Sequence, residues 1–97
     1  MPTYQRLPRF DADWAKLPED LRRRFRRAVR QLIEDLDAGR PFRPGLRVQR
    51  VQGTGTVFEM TFAPDGRATW HYGTEIRPGE AHIVWRRIGT HDVLARP

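Results

Sequence analysis

Apolar residues recur every three or four positions in the first half of the chain. The stripe consists of Leu21, Phe25, Val29, Leu32 and Leu36. This spacing predicts an amphipathic helix with one face turned toward a core. Pro18 predicts the start of this helix, because proline is tolerated in a first helical turn. Gly39 predicts its end. A shorter helix is predicted around Asp11 to Lys16.

Beyond Gly45 the apolar positions alternate with polar ones, which predicts strands rather than helices. Strands are expected from Leu46 to Val51, twice within Val57 to Tyr72, and from Ala81 to Ile88. An additional edge strand is predicted from Thr3 to Leu7.

The two strands within Val57 to Tyr72 form a predicted hairpin. Pro64-Asp65-Gly66 fits a type I turn with Gly66 in the left-handed region. In the register that this turn predicts, Glu59 faces His71 across the hairpin.

The order of elements is strand, helices, then four strands. This order predicts an α+β fold in which N-terminal helices pack on one face of a small, mostly antiparallel twisted sheet. The length of 97 residues suits one domain covering 1–97.

Composition narrows the class of protein. Cysteine is absent, which excludes disulfides and thiolate chemistry, and no apolar run approaches the ~18 residues of a membrane span. The first residues lack the apolar middle of a secretory signal, so a cytoplasmic location without a membrane partner is expected.

The net charge is +6, and Lys16 is the only lysine among 18 basic residues. Such a charge favours an anionic partner, with nucleic acid first, because phosphate binding releases condensed counterions. The arginine run on the long helix lies mostly off the apolar stripe and is predicted to be a solvated face.

The polar face of the hairpin carries the candidate chemistry. Glu59 and His71 are able to transfer protons, and Arg67 is able to stabilise charge on a phosphate. The alternative for Glu59 and His71 is an ordinary exposed ion pair. The spacing of His71, His82 and His91 fits no familiar zinc pattern, so no metal or cofactor is expected, and His82 is predicted to be exposed at a strand edge.

Several local strings, in this order, resemble the RelE/ParE superfamily of type II toxin–antitoxin toxins. They are Trp14-x-x-Leu17-Pro18 at the helix entry, Leu46 to Val51, Val57-Phe58-Glu59-Met60, Gly66-Arg67 and the closing segment from Ile83 to Asp92. The resemblance covers nearly the whole chain.

If the chain follows the RelE branch, the resemblance implies that it cleaves mRNA without a metal ion. This cleavage would depend on the ribosome and would block translation. Cleavage there proceeds by attack of a ribose 2′-hydroxyl on the adjacent phosphate. Arg67 matches the arginine that begins the middle strand, Glu59 matches an acidic residue on the preceding strand, and His91 matches a polar residue near the end. Glu59 would be the base, Arg67 the charge stabiliser, and His91 or His71 the acid.

Further basic positions are expected to bind RNA. They are Arg47, Arg50, Arg86 and Arg87. Trp14, Trp70 and Trp85 are expected to be core residues, and Trp85, beside Arg86, is the one kept as a candidate for base stacking. The resemblance also implies a cognate antitoxin, encoded as a separate chain, as a protein partner.

Two alternatives stay open at the level of sequence. The ParE branch implies a non-enzymatic inhibitor of DNA gyrase, which needs no proton-transfer pair. The second alternative is a basic interaction domain that keeps the fold but is not toxic.

Overall fold

Two helices lie against one face of a five-stranded sheet in the computed structural model, which describes residues 1–97. The elements in chain order are β1 (Thr3–Arg6), α1 (Pro8–Lys16), α2 (Glu19–Asp37), a 3₁₀ helix (Pro44–Leu46), β2 (Gln49–Arg50), β3 (Phe58–Ala63), β4 (Gly66–Gly73), β5 (His82–Gly89) and a C-terminal 3₁₀ helix (His91–Ala95). Neither helix is long and apolar enough to cross a membrane.

The sheet has the order β1-β5-β4-β3-β2. β1 pairs with β5 in parallel, and the other neighbours are antiparallel. The predicted α+β fold, with N-terminal helices on one face of a mostly antiparallel sheet, is confirmed, and so is the N-terminal edge strand.

The core fills the space between the helices and the sheet. Leu32 of α2 and Met60, Trp70 and Ile83 of the sheet are fully buried. Trp85 is only 4% exposed, and its ring centroid lies 5.2 Å from that of Phe25. The proposed use of Trp85 as a stacking surface for bases is therefore wrong, because its ring is part of the core.

The hairpin register differs by two residues from the predicted one. Glu59 lies opposite Thr69, not His71, and Phe58 lies opposite Trp70. The turn contains only Pro64 and Asp65 between the strands, and a register irregularity lies between Thr61 and Ala63. Such an irregularity changes which residues face each other, and the sequence pattern does not reveal it.

Gly66 is not in the left-handed region, contrary to the prediction. Its importance is steric, because an added Cβ would lie 2.7 Å from the ring of Phe62 and 2.9 Å from the Cβ of Ala63. Gly66 therefore allows the two ends of the hairpin to approach each other directly before Arg67.

The strand expected from Leu46 to Val51 is shorter than predicted. Leu46 ends the first 3₁₀ helix with 2% exposure, and only Gln49–Arg50 pair with β3. Arg47 between them is left-handed, with φ 49° and ψ 46°, and no other residue except glycine has a positive φ. The left-handed turn breaks the strand and separates the buried Leu46 from an exposed Arg47.

Asp35 anchors the segment that follows α2. Its side chain is buried and accepts hydrogen bonds from Nε of Arg40 at 2.7 Å, from Nη2 of Arg43 at 2.9 Å and from the backbone N–H of Arg43 at 2.9 Å. These bonds, first of all those from the Arg43 side chain, hold the pKa of Asp35 far below its ordinary value. The network fixes the path of the chain toward Arg47.

His82 was expected to be exposed, and that expectation is wrong. It is only 3% exposed, with Nδ1 at 2.8 Å from the hydroxyl of Thr3 and Nε2 at 2.8 Å from Oε1 of Gln5. His82 therefore joins β1 to β5.

Candidate active site

The candidate groups lie on the sheet face opposite the helices. Along β4, Thr69 and His71 point away from the helices because they alternate with the core residues Ala68 and Trp70, whereas Arg67 at the start of the strand also borders a cleft beside α2. The middle of this face is covered, because the carbonyl oxygen of Pro97 accepts hydrogen bonds from Thr69 at 3.2 Å and from Nε of Arg86 at 3.0 Å.

His91 and Asp65 form a pair at the hairpin turn. Nδ1 of His91 lies 2.9 Å from Oδ1 of Asp65, and the backbone N–H of His91 donates to the same oxygen at 3.3 Å. The hydrogen bond to Asp65 raises the pKa of His91 above its ordinary value. Arg67 lies opposite Gly89 in the β4–β5 pair, two residues before His91, and its charge acts on the pKa of His91 in the opposite direction.

Arg67 is held over the turn by backbone carbonyls. Its Nη1 donates to Gly66 at 3.0 Å, to Ala63 at 3.4 Å and to Pro64 at 3.5 Å. Nε and Nη2 have no hydrogen-bond partner in the protein. The guanidinium is therefore oriented by one nitrogen and keeps two others for an anion, the fork that suits a phosphate.

Glu59 is nearly buried, with 6% exposure. Its Oε1 accepts a hydrogen bond from Nε2 of Gln49 at 3.1 Å. Oε2 accepts no hydrogen bond from the protein. It is not fully buried, so it keeps contact with solvent. Glu59 is diagonal to Arg67 across the hairpin, a relation that separates Cβ atoms by about 7–8 Å.

His71 does not face Glu59 but pairs with Arg86. Nη1 of Arg86 lies 3.0 Å from Nδ1 of His71. Partial burial, followed by the charge of Arg86, lowers the pKa of His71. Because Arg86 always donates, the neutral ring carries its proton on Nε2.

Besides Arg86, the other three predicted RNA-binding arginines lie in three different places. Arg47 lines the same cleft as Arg67. Arg50 lies over the ring of Phe58, 5.8 Å from its centroid, and so is on the helix side of the sheet. Nε of Arg87 is paired with Asp13 of α1 at 2.6 Å, and that hydrogen bond raises the pKa of Arg87. Arg87 is thus engaged within the fold rather than free for RNA.

Two residues of the site were missed by sequence reasoning. Asp65 holds His91, and Gln49 binds one oxygen of Glu59. The sequence accounts for Asp65 as a turn residue. Its second role is visible only in its contact with His91, 26 positions further along the chain. No group of three or more His, Asp or Glu side chains lies close enough together to bind a metal ion.

The fold is shared with solved toxin structures. No family model and no curated protein sequence matches the chain. E. coli YafQ in its complex with DinJ superposes with a TM-score of 0.64 at 14% identity, covering 97% of this chain and 98% of that chain. YafQ alone gives a TM-score of 0.62 at 14% identity, with the same coverage.

A copper-bound mutant toxin from Helicobacter pylori is also similar. It gives a TM-score of 0.63 at 16% identity and covers 95% of this chain and 97% of that chain. At such identities the likeness shows the fold. The chain therefore has a RelE-like fold, and the resemblance found in the sequence is confirmed at the level of the fold.

Proposed function

We propose that this chain is the toxin of a toxin–antitoxin pair and that it cleaves mRNA, bound at the ribosome, through attack by a 2′-hydroxyl. The observation that carries the proposal is the placement of His91 at the end of the hairpin, where Asp65 orients it and Arg67 lies opposite Gly89, two residues before His91. An acid with a raised pKa and a cation with free N–H groups are two of the three groups that this reaction requires.

Each side chain then has one role. Oε2 of Glu59 accepts the proton of the 2′-hydroxyl while the 2′-oxygen bonds to phosphorus. Nε and Nη2 of Arg67 bind the non-bridging oxygens, where negative charge develops. The bond from phosphorus to the 5′-oxygen breaks, and protonated His91 donates its proton from Nε2 to that oxygen. The products are a 2′,3′-cyclic phosphate and a 5′-hydroxyl, and this route uses no metal ion.

His91 is a better acid than His71 in this arrangement. The pKa of His91 is raised and that of His71 is lowered, so more of the His91 population is protonated near neutral pH. His71 is also held by Arg86, on the far side of Thr69 from Arg67.

The partners follow from the same reasoning. RNA is required because the nucleophile is the 2′-hydroxyl. The two solved YafQ complexes contain DinJ, and one of them is a toxin–antitoxin complex. By analogy we propose a separate antitoxin protein for this chain, with the ribosome as the site where mRNA is presented.

The second candidate is a ParE-like inhibitor that binds gyrase without catalysis. The burial of Glu59 favours it, because only one of its carboxylate oxygens is free and the residue is 6% exposed. An inhibitor of this kind requires no base at position 59.

Controlled expression separates the two candidates. The wild type, Arg67→Ala and Arg9→Ala are each expressed in cells. The 5′ ends of mRNA are mapped, and the supercoiling of a plasmid is measured. Arg9 is an exposed arginine of α1 that forms no ion pair and lies away from the site, so its variant controls for loss of one charge. We expect new mRNA 5′ ends in cells that express the wild type or Arg9→Ala, and none in cells that express Arg67→Ala. Intact mRNA with blocked supercoiling would support the inhibitor instead.

A further inference from the structure

An arginine-rich cleft lies between α2 and the end of the hairpin. Its volume is about 790 Å³. Its cationic lining comes from α2, from the segment before β2 and from the start of β4: Arg23, Arg24, Arg27, Arg47 and Arg67. Asp20 is its only acidic lining residue.

The cleft arginines have no carboxylate partners. Arg23, Arg24, Arg27 and Arg47 form no side-chain hydrogen bond or ion pair in the fold, and all four are exposed. Neighbouring positions of α2 behave differently, because Nη1 of Arg26 lies 3.3 Å from Glu19 and its guanidinium lies 5.4 Å from the ring centroid of Trp14. The arginine run of the long helix is mostly exposed, as its sequence predicted, and it has a paired side and an unpaired side.

From this arrangement we propose that the cleft binds the phosphate backbone of single-stranded RNA, as a second site beside the cleavage centre. The clustered guanidiniums repel one another, and a polyanion relieves that repulsion with release of counterions. Arginine offers a planar pair of donors that matches a phosphate. Arg23 and Arg27 are four residues apart on one helix face, so the cleft presents a row of charge rather than a single point.

The position of Arg67 favours RNA over an acidic peptide as the occupant. Arg67 lines the cleft and also lies opposite Gly89, two residues before His91. A strand whose reacting phosphate lies at Arg67 would continue into the cleft, where its flanking phosphates meet the arginines of α2. The identity of the strand as RNA rests on the proposed function, while the binding of a polyanion rests on the cleft itself.

The backbone of Arg47 supports the same conclusion. The left-handed region is unfavourable for a residue with a Cβ, and backbone strain of this kind is concentrated at functional sites. Here it places an exposed guanidinium at the cleft directly after the buried Leu46.

The test measures binding without chemistry. The probe is a fluorescent single-stranded RNA with 2′-O-methyl groups throughout, which lacks the attacking hydroxyl. Its affinity is measured over a range of salt concentrations for the wild type, for Arg23→Ala/Arg27→Ala and for the control Arg9→Ala/Lys16→Ala. Arg9 and Lys16 are exposed and unpaired on α1 and do not line the cleft, so the two double variants lose equal charge.

The cleft variant should bind roughly tenfold more weakly, and its slope of log K against log salt should fall by about 1.4, or about 0.7 for each lost contact. The control should keep a slope close to that of the wild type. Equal slopes for the two double variants would overturn the proposal. So would a cleft variant that binds RNA normally but loses binding to a polyglutamate peptide.

The two proposals can fail separately. A wild-type protein that binds the probe through the cleft arginines but leaves ordinary RNA intact contradicts only the cleavage. A protein that cleaves RNA while the cleft variant binds like the control contradicts only the second site. Thermal unfolding of each variant shows whether the fold is kept, which is expected because the substituted side chains are exposed and unpaired.

Discussion

Asp65 and His91 are 26 positions apart in sequence, yet Oδ1 of Asp65 lies 2.9 Å from Nδ1 of His91 at the tip of the hairpin. The contact occupies Nδ1, while Nε2, on a side chain that is 68% exposed, lies 3.5 Å from Oδ1 of Asp92. A substrate would therefore reach the imidazole through Nε2. It also raises the pKa of His91, which keeps the ring protonated to higher pH than an isolated histidine. In the proposed reaction this pair supplies the proton for the leaving 5′-oxygen.

Asp65→Asn should shift the pH dependence of cleavage toward lower pH. The acid must be protonated, so kcat/KM falls as pH rises through the pKa of His91, and loss of the carboxylate lowers that pKa. Asparagine suits the turn equally well. The measurement is kcat/KM against pH. Asp92→Asn is the control, because Asp92 contributes less to the shift, and an alkaline limb that does not move with Asp65→Asn would contradict the assignment of His91 as the acid.

Glu59→Gln should lower the cleavage rate by about 10²–10⁴-fold, the usual contribution of a general base. Glutamine keeps the shape of the side chain and its oxygen still accepts a hydrogen bond from Gln49, so thermal unfolding and probe binding should change little. Single-turnover cleavage and binding to the 2′-O-methyl RNA measure the two effects. Full activity in Glu59→Gln would remove Glu59 from the reaction.

Arg47→Gly should leave the stability of the fold nearly unchanged while it weakens binding of the RNA probe. Glycine relieves the left-handed strain but loses more entropy on folding, so the free energy of unfolding should stay within about 1 kcal/mol of the wild type. Arg47→Val should be less stable than Arg47→Gly by about 1–2 kcal/mol, because a β-branched residue fits that region poorly.

Both Arg47 variants should bind the RNA probe more weakly than the wild type, since each lacks the guanidinium. Denaturant unfolding and probe titration on the same samples provide the comparison. Normal probe affinity in both variants would mean that Arg47 contributes nothing to the cleft.

Asp35→Asn should flatten the acid dependence of stability. The pKa of Asp35 is lower in the folded protein than in the unfolded chain, where it is about 3.9, so the stabilisation is present above that value and is lost as pH falls below it. The wild type should therefore lose stability more steeply than the variant as pH falls from about 5 to 2. Unfolding midpoints across this pH range measure the difference, and parallel curves would show that the ion pairs of Asp35 contribute little.

The sequence predicted the architecture because burial repeats with the period of each element. The stripe from Leu21 to Leu36 specifies α2, and the alternation from Phe58 onward specifies strands. The pairing of Glu59 with Thr69 was not predictable in the same way. It depends on a two-residue turn and an irregularity after Thr61, and neither changes the alternation of apolar and polar residues.

The site was predicted less completely than the fold. Arg67 and His91 were identified from their resemblance to family positions, and in the structure Arg67 lies opposite Gly89, two residues before His91. The role of Asp65 and the burial of Glu59 beneath Gln49 depend on contacts between distant parts of the chain. The strand break at Arg47 opposes its local alternating pattern, because burial of Leu46 in the core decides the backbone there.

The central claim is tested most directly by the chemistry of the cut ends. Wild type and Arg67→Ala are incubated with mRNA on ribosomes, and the termini of the products are determined. A second message carries a single 2′-deoxy nucleotide on the 5′ side of the mapped cut. The proposal predicts 2′,3′-cyclic phosphate and 5′-hydroxyl ends with wild type alone, and no cut at the deoxy position. Products with 5′-phosphate ends, or equal cutting of the deoxy message, would contradict it.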